Sequence, residues 1–472
     1  MNEKYKNLAS NTVVFAVGNA FSKAIQFVLL PVYTAYMTEA AYGMGELLSG
    51  LTQLVYPVIT LCLYEALFRF VLDRDGNPKV IFSTVMLLVC ALIPFALVVG
   101  LLLEIVINAE SSFLCALLSV TSALRLCFMN FARGLGAVKR FALSGILNTM
   151  ALLGGALVFI CSLGMGASGY LLNYVVADIF TVVFLFATCK IWKYISVRSF
   201  SKPLLRDMLQ YSLPLLPNAL FWWFTSVFNR YIVLFFCGSS IAGLYAAAGK
   251  LPSLVNFLST IFQQAWQISA TQEYESDDNE GAFYSKTFAA FSFVMFLGTS
   301  LLLACVYPLS LLLLRDGFFD AWTLGPGLVL AAATTCFTAF FTTFFNAAKE
   351  TVPIFKSTVL GAIVNVVTCL GLVFLFGVWG AVVASIIAQV VILIYRVYSS
   401  RRLVSLDVDA PALVVGVAVI FLQTFAQSVW AANGVPFAAI LFCVLLLAYL
   451  RHYRSAISSL AAGVRQSVFR KR

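Results

Sequence analysis

Long apolar runs separated by short polar connections fill this chain almost from end to end. A bilayer core of about 30 Å takes about 20 helical residues to cross. Fourteen runs reach or approach that length, at 11–37, 42–68, 80–103, 111–133, 141–163, 168–189, 209–236, 242–272, 287–313, 322–346, 354–375, 378–396, 410–430 and 436–450. The pattern predicts an all-α polytopic membrane protein of about 14 transmembrane helices. The start MNEKYKNLASNTVVF leads into an apolar stretch that runs far past the usual length for a cleaved leader and shows no small-residue cleavage site, and it reads as the entry to the first span.

Polar residues inside the runs recur at helical spacing. In the first, Asn19, Ser22, Lys23 and Gln26 stand at i, i+3, i+4 and i+7. The seventh aligns Asn218, Trp222, Thr225 and Asn229 with Arg230 alongside, the eighth carries Lys250, Ser253, Asn256, Thr260, Gln263 and Gln267, and the fourth sets Thr121 and Ser122 one turn before Arg125. These stripes can line a common wet cavity, although polar residues also hold membrane helices together.

The sequence repeats. At an offset of 200, MTEAAYGMGELLSGL (37–51) lies on CGSSIAGLYAAAGKL (237–251) and pairs Gly43 with Gly243; FMNFARGLGAVKRFALSG (128–145) resembles FFNAAKETVPIFKSTVLG (344–361). Spans 1–6 therefore recur as spans 7–12. Six spans per copy give both copies the same direction, related by a pseudo-two-fold along the membrane normal, as in transporters that rock two bundles around a central site. The expected organisation is an N-lobe over 1–200, a C-lobe over 201–405, and spans 13 and 14 with a basic tail over 406–472. Prolines stand within spans, Pro31, Pro57, Pro94, Pro214, Pro217, Pro252 and Pro308 among them, where they permit bends.

Composition agrees: 62% of residues are hydrophobic and 11% charged. The net charge of +10 could point to nucleic acid, but its placement points to topology. With a cytoplasmic N-terminus, 25 of the 30 basic residues fall in inside segments and Arg315 alone in an outside loop, so the positive-inside rule puts both termini in the cytoplasm. Eleven scattered cysteines without histidine partners read as apolar fillers, and neither a metal nor another cofactor is expected. The acidic EYESDDNE stretch lacks the ligand spacing of a calcium loop.

Four bases, Lys23, Arg125, Arg230 and Lys250, and three acids, Glu46, Glu65 and Asp178, remain inside spans. At about 3 kcal/mol each in lipid, they must face protein or water. Glu65 and Arg69 are i, i+4 partners that suit either an ion pair or a functional role. Glu46 is expected near the outer end, where it reaches water. Asp178, near the middle of its span, either pairs with a base such as Arg125 or titrates, as a proton- or sodium-coupled transporter would require. An excess of fixed positive charge in a closed cavity favours an anion, and the planar fork of arginine suits phosphate.

The stretches LLPVYTAYMTEAAYGMGELLSG (29–50), YEALFRFVLD (64–73) and LYAAAGKLPSLVNFLSTIFQQAWQISA (244–270) resemble the polysaccharide-transport family, the O-antigen and capsule flippases of the multidrug, oligosaccharidyl-lipid and polysaccharide exporter superfamily. The resemblance extends over nearly the whole chain, and its signatures include Arg69, Lys250 and Gln264. It implies two six-helix lobes, alternating access and a home in the bacterial cytoplasmic membrane. It also implies a polyprenyl-pyrophosphate-linked oligosaccharide moved from the cytoplasmic to the outer leaflet for surface polysaccharide such as lipopolysaccharide or capsule. Glycan polymerases and glycosyltransferases would be partners. On this reading Lys23, Arg125, Arg230 and Lys250 hold the pyrophosphate, while Asn19, Gln26, Asn218, Asn229, Asn256, Gln263 and Gln267 line the cavity. Asp178, Glu65 and Arg69 serve ion coupling or internal pairing. The alternatives are a cation-coupled drug exporter of the same fold and a peptidoglycan-precursor flippase. An enzyme is disfavoured, since the single histidine, His452, lies beyond the last span and no Walker-type glycine loop occurs.

Overall fold

The computed structural model describes residues 27–72, 76–106, 111–274, 281–348 and 350–452, the side chains of 264, 265, 267–274, 281, 282 and 316 excepted. Every regular element among them is helical. They divide into two compact units, one running to Ala247 and taking in Leu313–Phe318, the other from Ala248 to Leu312 and from Phe319 onward.

The first unit contains α1 (Phe27–Tyr36), α2 (Glu39–Thr60), α3 (Leu63–Leu72), α4 (Pro78–Val106), α5 (Ser112–Gly134) and α6 (Val138–Gly155), which runs on as a π-helical turn over Ala156–Ser162. After it come α7 (Gly166–Thr188), α8 (Lys202–Ser212), α9 (Leu215–Ser226), α10 (Phe228–Cys237) and most of α11 (Ser239–Ala248). Helix α5 lies at the centre and packs against α2, α3, α4 and α7. Its buried face alternates small and aromatic residues, with Ser119, Ala123, Cys127, Phe128 and Phe131 among them. The Phe131 ring packs tilted against that of Phe82 on α4, with centroids 4.2 Å apart.

The second unit contains α12 (Ser253–Tyr274), α13 (Gly281–Leu313), α14 (Gly325–Ala347), α15 (Val352–Phe376), α16 (Val378–Ser400), α17 (Ala410–Trp430) and α18 (Gly434–His452). Helix α14 packs on α12, α16 and α17. Phe340 at its middle lies between Trp266 and Phe291, each 4.9 Å away ring to ring. Two glutamines of α17 tie it to its neighbours through main-chain carbonyls: Gln423 donates to Ala438 O at 2.7 Å and Gln427 to Leu303 O at 2.8 Å.

Nine helices among the described residues are long and apolar enough to cross a membrane, or up to 12 if each bent pair is one span. That count takes 410–452 as one helix, although the turn at Ala431–Asn433 folds it into α17 and α18, which pack together. It leaves aside the first run, of which only Phe27–Tyr36 is described. The molecule is thus an all-helical multi-pass membrane protein, while a total of fourteen spans stays an expectation.

Three apolar helix pairs are bent at a short break: α2 and α3 at 58°, the segment Lys202–Ser226 (α8 and α9) and α10 at 43°, and α11 and the Ser253–Gln263 part of α12 at 40°. At the first break Leu61 and Cys62 both take left-handed backbone, with φ of 49° and 56°. The Cys62 amide donates to Pro57 O at 3.0 Å and the Leu61 amide to Val58 O at 3.2 Å, so the last carbonyls of α2 are satisfied as in a helix C-cap. Pro57, which cannot donate to the turn before it, stands just ahead of this break, and Pro252 stands at the third. No proline accompanies the second, at Val227, where the backbone opens to φ −119°.

Candidate functional site: two ion pairs on one face of a span

Tyr170, Tyr174 and Asp178 stand at i, i+4 and i+8 of α7 and so share a face, the first and last about 12 Å apart along the axis. Each end of this row meets a charged partner from another span.

At one end the Asp178 carboxylate lies 2.6 Å from Arg125 Nε of α5. This is a charge contact without an aligned hydrogen bond. Ser122, one turn before Arg125, donates to Asp178 Oδ2 at 2.6 Å. Asn148 of α6 donates to Asp178 Oδ1 at 3.4 Å and to Thr181 Oγ1 at 3.0 Å. The acid is shut in, with 5% of its side chain exposed, whereas the guanidinium side chain keeps 26%. An anion approaching this pair would therefore meet the cation first. Among the described residues the guanidinium makes one further polar contact, from Nη1 to Met129 Sδ at 3.5 Å.

At the other end Glu46 of α2 accepts from Arg230 Nη1 of α10 at 2.9 Å through Oε2. Its second oxygen accepts from Tyr170 OH at 2.5 Å and Tyr42 OH at 3.4 Å. Tyr170 reaches it because Gly45 leaves room: a Cβ there would lie 2.8 Å from the Tyr170 ring. The Tyr33 ring packs edge-on against Tyr170 at 5.1 Å, closing an aromatic cage round the carboxylate. Trp223 Nε1 of α9 donates to Gly50 O at 2.9 Å and Tyr231 OH of α10 to Leu47 O at 2.6 Å, so α9 and α10 are fastened to α2 at two points besides the ion pair. Tyr174 shares a 3.2 Å hydroxyl contact with Tyr170 and lies within electrostatic reach of Glu46, Asp178 and Arg230.

One expectation from sequence is corrected here. Glu46 does not reach water; it is 3% exposed, because tyrosines fold over it and Arg230 neutralises it. Arg396, one of the 25 bases counted in inside segments, is also buried, at 8% exposure. Its Nε donates to Ser357 Oγ at 2.9 Å, Nη1 to Thr338 O at 3.3 Å and to Thr342 Oγ1, and Nη2 to Thr358 Oγ1 at 3.3 Å, none of them a carboxylate. A run of threonine and serine on α14 and α15 makes this tolerable, since hydroxyls satisfy the fork where water cannot.

Of the remaining candidates, Lys250 is half-buried at the α11–α12 break, where Ser253 donates to its carbonyl. Asn218 and Asn256 are exposed, the latter accepting from Cys336 Sγ at 3.6 Å. Asn229 is buried, and Gln263, also buried, accepts from Thr343 at 3.2 Å. Glu65 and Arg69 are both exposed on α3, and no ion pair joins them. Lys23, Asn19, Gln26 and the Gln267 side chain lie outside the described residues. Sequence reasoning missed Glu46, Tyr42, Tyr170 and Tyr174 as a group. The signal was present in the i, i+4, i+8 spacing of Tyr170, Tyr174 and Asp178, hidden because tyrosine reads as apolar.

Residues 8–267, more than half of the 472, match the family model described as "Polysaccharide biosynthesis protein". The chain belongs to that family. Within this polysaccharide biosynthesis family member, both arginine–carboxylate pairs fall inside the matched segment. Among solved structures, it is similar to "Lipid II flippase MurJ, inward closed conformation", at 13% identity and TM-score 0.69 over 94% of this chain and 100% of that one. It is also similar to an inward-facing multidrug resistance MATE family transporter of the MOP superfamily, at 14% identity and TM-score 0.62 over 81% and 95%. At such identities the likeness establishes a shared fold. No curated protein sequence matches the chain.

Proposed function

We propose that this protein is a flippase that moves a polyprenyl-pyrophosphate-linked oligosaccharide across the bacterial cytoplasmic membrane for surface polysaccharide synthesis. The family supports the pathway and the shared fold supports alternating access by two lobes, 1–200 and 201–405, with 406–472 outside the repeat. The observation that carries the substrate class is the Arg125 guanidinium. It is a permanent cation inside a span, partly open, opposite a buried acid.

The pairing refines the mechanism. Arg125 and Arg230 each hold a resident carboxylate, so they do not form an empty positive hole. Anion binding is then an exchange: a pyrophosphate takes the bidentate fork of Arg125, and Asp178 keeps its bonds from Ser122 and Asn148 while the arginine turns away. The exchange limits how tightly the ground state binds and leaves a way to release cargo. Lys23 and Lys250 would complete the cationic lining. Both termini lie in the cytoplasm on this reading, membrane lipids and glycan-assembling enzymes are its neighbours, and a proton or sodium ion supplies coupling through Asp178 or Glu46.

The buried acids favour one second reading, a cation-coupled exporter of the same fold, because Glu46 and Asp178 are both 3% exposed. Mass spectrometry of total lipids from cells with and without the gene separates the two. Accumulated lipid-linked oligosaccharide in the deletion, cleared by the intact gene and not by an Arg125→Ala copy, supports the flippase. Unchanged lipids and surface glycan with altered drug sensitivity would put the exporter in its place.

A further inference from the structure

The second unit holds a cavity of about 820 Å³ between the start of α15 and the end of α16, lined by none of the residues of either ion pair. Lys356, Arg401 and Arg402 line it, and the one acid in its wall, Glu350, is taken up by Arg402. Two cations, Lys356 and Arg401, therefore face the space with no further carboxylate among the lining residues. Tyr395 and Tyr398 stand on the α16 side, Tyr398 with 75% of its surface exposed.

The surroundings say what kind of anion fits. From the cavity mouth, exposed apolar residues run down α15 at Val352, Phe355, Ile363, Val367 and Phe374, a stripe at helical spacing along the whole span. Ile394, one turn before Tyr398, is 63% exposed on α16. A soluble phosphate compound has no use for that stripe, whereas an amphiphile does. The site is also preformed, because buried Arg396 of α16 bonds Ser357 and Thr358, the two residues after Lys356. That clamp fixes both walls. The volume lies within the range of small-ligand pockets.

We propose that this cavity binds the phosphate headgroup of an anionic phospholipid from the leaflet at that end, with Lys356 and Arg401 on the phosphate, the tyrosines at the interface and the acyl chains along the α15 stripe. Basic clusters at span ends recognise anionic headgroups through their charge, and tyrosine favours the headgroup level.

The test is native mass spectrometry of the purified full-length protein given phosphatidylglycerol or phosphatidylcholine of equal chain length. The intact protein should retain phosphatidylglycerol preferentially. Arg401→Gln, beyond the helix end and free of fold-critical contacts, should cost about fivefold of that preference, and adding Lys356→Gln about fivefold more. Lys139→Gln with Arg140→Gln, another basic pair, should leave it unchanged. Equal retention of the two lipids, or a preference untouched by Arg401→Gln with Lys356→Gln, would overturn the proposal. Displacement of phosphatidylglycerol by millimolar inorganic phosphate would overturn the lipid assignment in favour of a soluble phosphate ligand.

Discussion

Gly43 of α2 and Gly243 of α11 pack backbone to backbone: a Cβ on Gly43 would fall 2.6 Å from Gly243 N, and one on Gly243 would fall 2.0 Å from Glu39 O. These are the same two glycines that the offset of 200 places in register. Small residues there let two spans cross at backbone distance, the usual means of close approach in membranes.

Gly243→Ala should consequently lower stability. The atom it would strike is a main-chain carbonyl, which cannot swing aside as a side chain can, so the helices must separate. Overpacking of this kind costs about 1–3 kcal/mol. Thermal unfolding of the purified protein in detergent should show a lower midpoint for Gly243→Ala. Gly154→Ala, where nothing lies within 4 Å, should leave it unchanged or raised.

Removing Asp178 charge tests the exchange mechanism directly. Asp178→Asn can keep the Ser122 and Asn148 contacts while releasing Arg125, whose Nε now lies 2.6 Å from the acid. A radiolabelled polyprenyl pyrophosphate should bind the variant about fivefold more tightly, the factor matching a partly exposed ion pair of about 1 kcal/mol. Transport should slow because release does. Weaker binding in Asp178→Asn would contradict the counter-ion role and point to a carboxylate that serves cations.

Glu46 and Arg230 should behave as a unit. Arg230→Met leaves a carboxylate buried among Tyr42 and Tyr170 with no cation, a loss of about 3 kcal/mol for a broken buried pair. Arg230→Met with Glu46→Gln removes both charges and keeps an acceptor for the tyrosines. The double variant should melt above Arg230→Met alone. Additive losses would show that the two side chains do not stabilise each other.

How far the sequence carried depends on the range of the interaction involved. Apolar runs such as 80–103, 354–375 and 378–396 map closely onto α4, α15 and α16, because span length and helical hydrogen bonding are local properties. Asp178 was open between pairing and titrating, and the α5–α7 contact chose Arg125. Glu46 and Arg230 are 184 positions apart, and no local pattern links them. Arg396, one of the 25 bases counted in inside segments, is buried for a related reason: an arginine near a span end ordinarily snorkels to water, whereas here the Thr338 carbonyl and the hydroxyls of Thr342, Ser357 and Thr358 from two other helices hold it inside. The left-handed pair at Leu61 and Cys62 was illegible too, since neither residue favours that conformation.

That last feature yields a test in which packing and backbone strain predict opposite orders. Left-handed backbone costs an L-residue about 1–2 kcal/mol, more for a β-branched one and nothing for glycine. Leu61 is only half-buried and has φ of 49°. If packing dominated there, stability would fall from Leu to Val to Gly with side-chain size. Strain at the break between α2 and α3 instead predicts that Leu61→Gly melts above Leu61→Val, because valine adds a branched Cβ to the strained position while glycine relieves it. The 58° bend would persist in the glycine variant, so transport should survive in Leu61→Gly and be impaired in Leu61→Val. A Leu61→Val protein more stable than Leu61→Gly would mean that the bend is held by contacts along the spans and that the turn itself stores no strain.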